Sequence, residues 1–151
     1  MYELDRPHSC SVGRAMDVLG ERWTILILRE AFYGVRRFSD MQRNLGIARN
    51  ILSARLQTLV GAGILERRRY QEEPERFEYK LTEKGLGLYP AVVAIMRWGD
   101  EHLSEEGPPV VLRHSCGHLA DPVLACAHCH GELDPHDVTP EPADAPALAG
   151  R

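Results

Sequence analysis

The chain has 151 residues, of which 44% are hydrophobic and 26% charged, which is ordinary for one globular domain with short appendages. No apolar run is long enough to cross a membrane and the N-terminus is polar, which excludes membrane and secreted classes and predicts a cytoplasmic protein. In a reducing compartment the four cysteines favour metal binding or unbound thiols over disulfides.

The net charge of −4 argues against a nucleic-acid partner until its distribution is considered. Residues 36–69 carry eight arginines and two acids, whereas residues 104–151 carry two arginines and eight acids. The basic excess therefore lies in one segment, where phosphates could bind, and the acidic excess lies in the C-terminal part.

Residues 1–9 are predicted to form an N-terminal arm before a short helix that Ser9 or Ser11 caps and Gly20 ends. Cys10 lies at the N-terminus of this helix, where the helix dipole favours a thiolate. Two interpretations stay open for Cys10, a redox-sensitive thiol and a small residue packed at an interface. The next helix, Glu21 to Tyr33, is apolar on nearly all sides, which predicts the central core helix.

Two further helices are predicted around Gly46. Ser39 and Gln42 have the spacing of a capping box, so the first helix is expected to begin at Ser39 and to end near Leu45. The second helix has a broad apolar face made of Ile51, Leu52, Leu56, Leu59 and Val60. Two helices joined by a tight turn predict a helix-turn-helix, although a pair of core helices has the same pattern.

The outer face of the second helix offers side chains that can contact base edges in the major groove: Arg49, Asn50, Ser53 and Gln57. Two strands follow, over residues 64–70 and 76–81, around an acidic turn. A hairpin directly after such a helix predicts a winged helix, in a fold that is mainly α with a small β-hairpin (α+β). Further candidate DNA contacts on and beside the wing are Arg36, Arg37, Ser39, Arg67, Arg68, Arg69 and Arg76.

A long helix from Thr82 to Leu103 is predicted next, capped by Thr82 and kinked by Pro90. Its apolar face is wider than one small winged helix can cover. A dimer interface shared with the Cys10 helix is one explanation, and a C-terminal segment that folds back over the helix is the other.

These segments together resemble a known family. Cys10 to Ala15, GERWTILILREAFYGVRRFSDMQRNLGIARNILSARLQTLVGAGILERR, EYKLTEKG and RWGDEH are similar to the HxlR-type winged helix-turn-helix regulators over about residues 8–103. The resemblance implies a homodimeric bacterial transcriptional regulator, in which Cys10 matches a cysteine that serves some relatives as a thiol sensor. Ala48 departs from the family, which often has a capping serine there, and the wing tip EEPER departs from a Pro-Pro-Arg-like turn.

Residues 104–133 are predicted to form a zinc-ribbon-like or knuckle segment, because residues 114–130 read HSCGHLADPVLACAHCH. The predicted structural zinc ligands are Cys116, His118, Cys126 and Cys129. Rival ligands are His114, His128, His130 and His136, and the alternative is unbound thiols. No acid flanks these residues as a general base, so catalytic zinc is disfavoured. Residues 134–151 are predicted to be disordered.

The sequence thus predicts a regulator, and not an enzyme, that binds double-stranded DNA as a homodimer on a pseudo-palindromic operator. Residues 10–103 would form the DNA-binding and dimerisation domain. A small molecule or thiol oxidation could control it. The alternative is a module that uses the winged helix and the zinc-bound tail to bind other proteins.

Overall fold

A computed structural model describes residues 10–141, so the predicted arm (residues 1–9) and residues 142–151 lie outside the described part. The elements are α1 Ser11–Leu19, α2 Arg22–Phe32, α3 Phe38–Leu45, α4 Arg49–Gly61, β1 Leu65–Gln71, β2 Arg76–Leu81, α5 Glu83–Leu86 and α6 Tyr89–Leu103. The mainly helical fold with one antiparallel hairpin is the predicted class. Within residues 10–141, no helix has both the length and the apolar character needed to span a bilayer.

The core is built around α2, as predicted. Ile27 and Leu28 of α2 are fully buried, and they pack with Met41 of α3 and with a stripe of leucines on α4. That stripe consists of Leu52, Leu56 and Leu59, each 0% exposed. It fixes which side of α4 faces inward, so the opposite side is presented to solvent.

The turn between α3 and α4 forms as predicted, but the start of α3 does not. Gly46 takes a left-handed conformation (φ 61°) that ends α3, and Ala48 caps α4 without a side-chain hydrogen bond. The predicted capping box is wrong, because α3 begins at Phe38 with Arg37 as its N-cap. Ser39 therefore lies in the first turn, and the amide of Gln42 donates instead to the carbonyl of Ile47.

The wing contains a pairing that the sequence did not reveal. β1 and β2 pair in register from Leu65↔Leu81 to Arg69↔Phe77. Arg37 forms an additional antiparallel bridge with Glu78, and the Tyr79 N–H donates to the Arg36 carbonyl at 2.8 Å. This bridge attaches the entry of α3 to the wing and explains why the backbone turns helical at Phe38.

The predicted single helix from Thr82 to Leu103 is wrong, because the chain forms two helices. The Thr82 hydroxyl caps α5 by accepting from the Gly85 N–H at 3.1 Å, as expected. The helix stops at Leu86, and α6 begins at Tyr89 after two intervening residues, with Pro90 in its first turn, where a missing N–H costs nothing.

The C-terminal segment folds back along α6, which was one of the two explanations for its wide apolar face. Arg97 of α6 forms an ion pair with Asp121 (3.4 Å) and donates to the Pro122 carbonyl. The covering is partial, since Trp98 of α6 stays 56% exposed and Val12 of α1 stays 70% exposed. Apolar surface therefore remains on both helices.

Candidate nucleic-acid interface

The outer face of α4 presents three polar side chains with their hydrogen-bonding groups uncommitted. Asn50 and Gln57 are exposed and Ser53 is half-buried, on the side away from the buried leucines. In the part of the chain that the structure describes, these side chains form no hydrogen bond with the protein. Amides and hydroxyls in this position can pair with base edges.

Two neighbours of this face differ from what the sequence predicts. The sequence predicts Ile51 on the apolar face, but its side chain is 39% exposed because the three buried leucines occupy a narrow stripe. Ala54, one helical turn after Asn50, is exposed on the outer face and could contact a thymine methyl group. The i, i+4 spacing from Asn50 is the sequence signal that would have identified Ala54.

Three of the predicted DNA-binding arginines form cation–π contacts with aromatic rings. The Arg49 guanidinium lies 5.2 Å from the centroid of the Phe38 ring, beside the first turn of α4. Arg37 lies over Tyr70 (4.8 Å) and Arg67 over Phe77 (3.5 Å). Such cation–π contacts orient a guanidinium while leaving N–H groups at its edge for phosphate.

The wing arginines are not equivalent, although the sequence treats them as a run. Arg69 forms ion pairs with Glu72 (3.6 Å) and Glu75 (3.4 Å), which neutralise part of its charge. Exposed Arg36, Arg68 and Arg76 form no ion pair within residues 10–141. These three therefore present full positive charge to an approaching phosphate.

Cys10 itself caps α1, where Ser9 or Ser11 was predicted. Its sulfur accepts a hydrogen bond from the Gly13 N–H at 3.1 Å, and its side chain is half-buried. Cys10 therefore lies at the N-terminus of α1, as predicted. Both interpretations of Cys10 stay predictions.

The tail, residues 104–141, carries its cysteines in two tight turns. In the first turn the Cys116 sulfur lies 3.8 Å from His118 Nδ1. In the second, hydrogen bonds from the backbone N–H groups of Cys129 and His128 lower the pKa of the Cys126 thiol. Each turn thus brings one predicted ligand pair together, and the donors suit zinc.

The two ligand pairs are not gathered into one site. Among residues 10–141, no three or more His, Cys, Asp or Glu side chains converge closely enough to hold a metal ion. The donor atoms therefore suit zinc, but the two turns do not bring the four predicted ligands together into one site.

The helix-turn-helix lies in a segment that matches a known family. The family described as HxlR-like helix-turn-helix matches residues 18–107. The chain belongs to this family. It is 58% identical over 134 residues to the uncharacterized HTH-type transcriptional regulator Rv3095 of Mycobacterium tuberculosis, which covers 87% of this chain and 85% of that protein. The resemblance inferred from the sequence is confirmed.

Two solved structures extend this comparison. The crystal structure of PA1607 is similar with a TM-score of 0.81 and 35% identity, over 90% of this chain and 99% of that chain. Because this match covers 90% of the chain, it must include part of the tail. The redox regulator HypR in its reduced form is similar with a TM-score of 0.58 and 31% identity, over 61% of this chain and 92% of that chain. This chain is a transcriptional regulator with a winged helix-turn-helix fold.

Proposed function

We propose that this regulator is a cytoplasmic, non-enzymatic homodimer that binds a pseudo-palindromic DNA operator by sequence. The observation that carries the proposal is the outer face of α4, where Asn50, Ser53 and Gln57 have no hydrogen-bonding partner within residues 10–141. The leucine stripe behind them fixes this face relative to the core. One α4 helix per protomer would enter successive major grooves, roughly one turn of DNA apart.

Base reading is tested with Asn50→Ala and Gln57→Ala, on an operator located by footprinting the promoter beside the gene. Each replacement should weaken operator binding by about 1–3 kcal/mol and change binding to random DNA much less. Glu101→Gln, on the exposed surface of α6, is the control. Equal losses on operator and random DNA would refute base reading. If wild-type protein shows no salt-dependent binding to duplex DNA, the protein-interaction alternative replaces the proposal.

The wing is proposed to bind phosphates, chiefly through the arginines without ion pairs. Arg68→Ala should lower the slope of log K against log salt by about one unit, because one phosphate contact is lost. Arg69→Ala should lower it less, since Glu72 and Glu75 already neutralise part of its charge. Unchanged slopes for Arg67, Arg68 and Arg76 variants would place the wing away from DNA.

Homodimerisation is proposed through α1 and α6, whose exposed apolar side chains include Val12 (70%), Met16 (48%) and Trp98 (56%). Burying each large side chain in an interface would contribute about 1.5–3 kcal/mol. Val12→Glu and Trp98→Glu should therefore shift the protein toward monomers in light scattering and weaken operator binding. A wild-type monomer at micromolar concentration would contradict this part of the proposal.

Control by thiol oxidation is proposed to act through Cys10, which the similarity to a redox regulator supports. The other cysteines follow residue 115, so a disulfide near the DNA-binding domain would need Cys10 of the partner subunit or a small-molecule thiol. Oxidant should weaken operator binding by the wild type but not by Cys10→Ser. An identical response of both proteins would identify Cys10 as a packed, inert residue.

A structural zinc ion is proposed separately for Cys116, His118, Cys126 and Cys129. The support is that each of the two turns already brings two suitable donors together, so their approach would complete a tetrahedral site. Native mass spectrometry should show one zinc ion, lost with chelator or in Cys129→Ser. If the purified protein carries no zinc and binds none when it is added, the tail is held by its turns alone.

A further inference from the structure

A groove separates α2 from α6 over part of their length. It has a volume of about 630 Å³, within the range of small-molecule sites, and residues 109–112 of the tail form one of its walls. Most of its lining is apolar, with contributions from Ile25, Leu26 and Met96. At one end the rings of Phe32 and Tyr89 pack with their centroids 5.0 Å apart. These walls suit an aromatic ligand.

Two hydrogen-bond donors on the α2 side of the groove lack good acceptors. Arg29 Nε is buried and has no acceptor within residues 10–141. The Tyr33 hydroxyl has the Met96 sulfur at 3.9 Å, and a thioether is a weak acceptor. The Arg29 guanidinium lies 6.0 Å from the centroid of the Tyr33 ring, and both residues line the groove.

Among the described residues that line the groove, Arg29 is the single basic one, beside the acids Glu30 and Asp100, so a ligand anion would bind at Arg29. Glu30 is 5% exposed and both of its oxygens are occupied, one by Arg29 Nη2 and one by Asn44 Nδ2, each at 2.8 Å. Asp100 is the acid on the α6 wall, and it forms no ion pair with Arg29. A carboxylate that binds Arg29 would compete with Glu30 for the guanidinium.

Glu30 also connects the groove to the DNA-binding unit. Its second oxygen accepts from Asn44, which is the residue before the end of α3 and two residues before the Gly46 turn that leads into α4. A ligand that takes the hydrogen bonds of Arg29 leaves a buried carboxylate short of a partner. The contact between α2 and α3 must then adjust, and α3 positions α4.

We propose that the groove between α2 and α6 binds a small aromatic carboxylate at Arg29, and that binding weakens DNA association through Glu30 and Asn44. The first part of this proposal, ligand binding, depends only on the groove. The regulatory half rests on the proposed function, because it assumes that α4 binds the operator.

Binding is tested with the fluorescent aromatic anion 8-anilino-1-naphthalenesulfonate. Gly99 lines the groove, and a Cβ added there would meet nothing within 4 Å, so Gly99→Leu should fill the groove and weaken binding about tenfold. Gly61→Leu is the matched control, since a Cβ there is equally unobstructed and the residue lies at the end of α4. Equal binding by both variants would overturn the site. A Gly99→Leu protein that turns monomeric would show that a second copy of the chain occupies the groove instead.

The anion at Arg29 is tested by displacing the fluorescent probe with 2-naphthoate and with uncharged 2-naphthamide. Wild-type protein should prefer the carboxylate, and the preference should disappear in the double variant Arg29→Gln, Glu30→Gln, which leaves no unpaired buried charge. Arg29→Lys, which keeps the positive charge, should retain part of the preference for the carboxylate. Asp100→Asn should increase it. Equal displacement by the acid and the amide in wild-type protein would overturn the assignment of an anionic ligand.

The regulatory half is tested by operator binding with and without 2-naphthoate. The ligand should weaken wild-type binding about fivefold or more, a typical coupling between two sites, and should not affect Gly99→Leu. Asn44→Ala should still bind the probe but lose the response. If the fluorescent probe binds but neither the wild type nor any variant binds the operator, the proposed function is wrong while the ligand site is supported. If wild-type protein binds both and 2-naphthoate changes nothing, the transmission through Glu30 and Asn44 is wrong.

Discussion

The winged-helix unit, residues 10–103, and the tail, residues 104–141, are ordered by different means. In the described chain, the buried apolar side chains all lie between Ile27 and Val92. No residue of the tail reaches the same burial. The tail is instead shaped by local turns, such as the Cys126 N–H to Gly131 carbonyl bond at 2.9 Å, and by its contact with α6. Hydrophobic periodicity therefore locates the first unit and gives little information about the second.

The largest difference between the two units is expected in the free energy of unfolding lost when a leucine is truncated to alanine. Leu56→Ala, at a fully buried position, should lower the free energy of unfolding by about 2–5 kcal/mol, because it removes buried methyl groups and leaves a cavity. Leu124→Ala, at a position that is 71% exposed, should change it by about 0.5 kcal/mol or less. Urea unfolding followed by circular dichroism measures both. Similar losses would mean that the tail has a core of its own.

Two glycines inside the winged-helix unit should respond in opposite ways to replacement by alanine. A Cβ on Gly85 would lie 2.2 Å from the Ile64 carbonyl oxygen, so Gly85→Ala should cost about 1–3 kcal/mol by forcing α5 away from the start of the wing. Gly99→Ala meets no such obstacle in the interior of α6 and should stabilise by about 0.5–1 kcal/mol. Thermal unfolding should therefore move in opposite directions. The same sign for both variants would contradict the close approach of α5 to Ile64.

Loss of the contact between the two units is predicted to loosen the tail without much change in the stability of the whole protein. Arg97→Ala removes the ion pair with Asp121 and the bond to the Pro122 carbonyl. Exposed ion pairs contribute about 0–1 kcal/mol, so global unfolding should change little. Limited proteolysis should nevertheless cut residues 104–141 faster than in wild-type protein, with Glu105→Ala, an exposed residue that forms no ion pair within residues 10–141, as a control inside the tail. Unchanged proteolysis would show that other contacts hold the tail.

The smallest expected effect is local and depends on pH. Hydrogen bonds from the His136 backbone N–H and from its side chain lower the pKa of Asp134. The turn is therefore stabilised above the ordinary carboxyl pKa of about 3.9, and this stabilisation is lost as pH falls through the lowered value. The His136 amide resonance should report this change in NMR titrations, and Asp134→Asn should abolish it. Global stability should not follow the same curve.

Much of the candidate interface was predictable because its signals are local in sequence. The leucine spacing in α4 predicts its buried face, and Gly46 predicts the turn before it. Asn50 and Gln57 were then found on the outer face as expected. The error at Ser39 arose because a capping box is a local rule, whereas the Arg37↔Glu78 bridge that overrides it joins residues 41 positions apart.

The helix-turn-helix, the wing and the family can be predicted from the amino-acid sequence, since helical periodicity, turn glycines and strand alternation all act over a few residues. The tertiary structure alone decided which arginines remain without ion pairs, how the tail lies on α6, and that Arg29, Glu30 and Asn44 link a groove to α3. Each of these depends on side chains that meet only after the chain has folded. Hydrogen bonds and ion pairs require specific distances and orientations, which a one-dimensional pattern of residues does not encode locally.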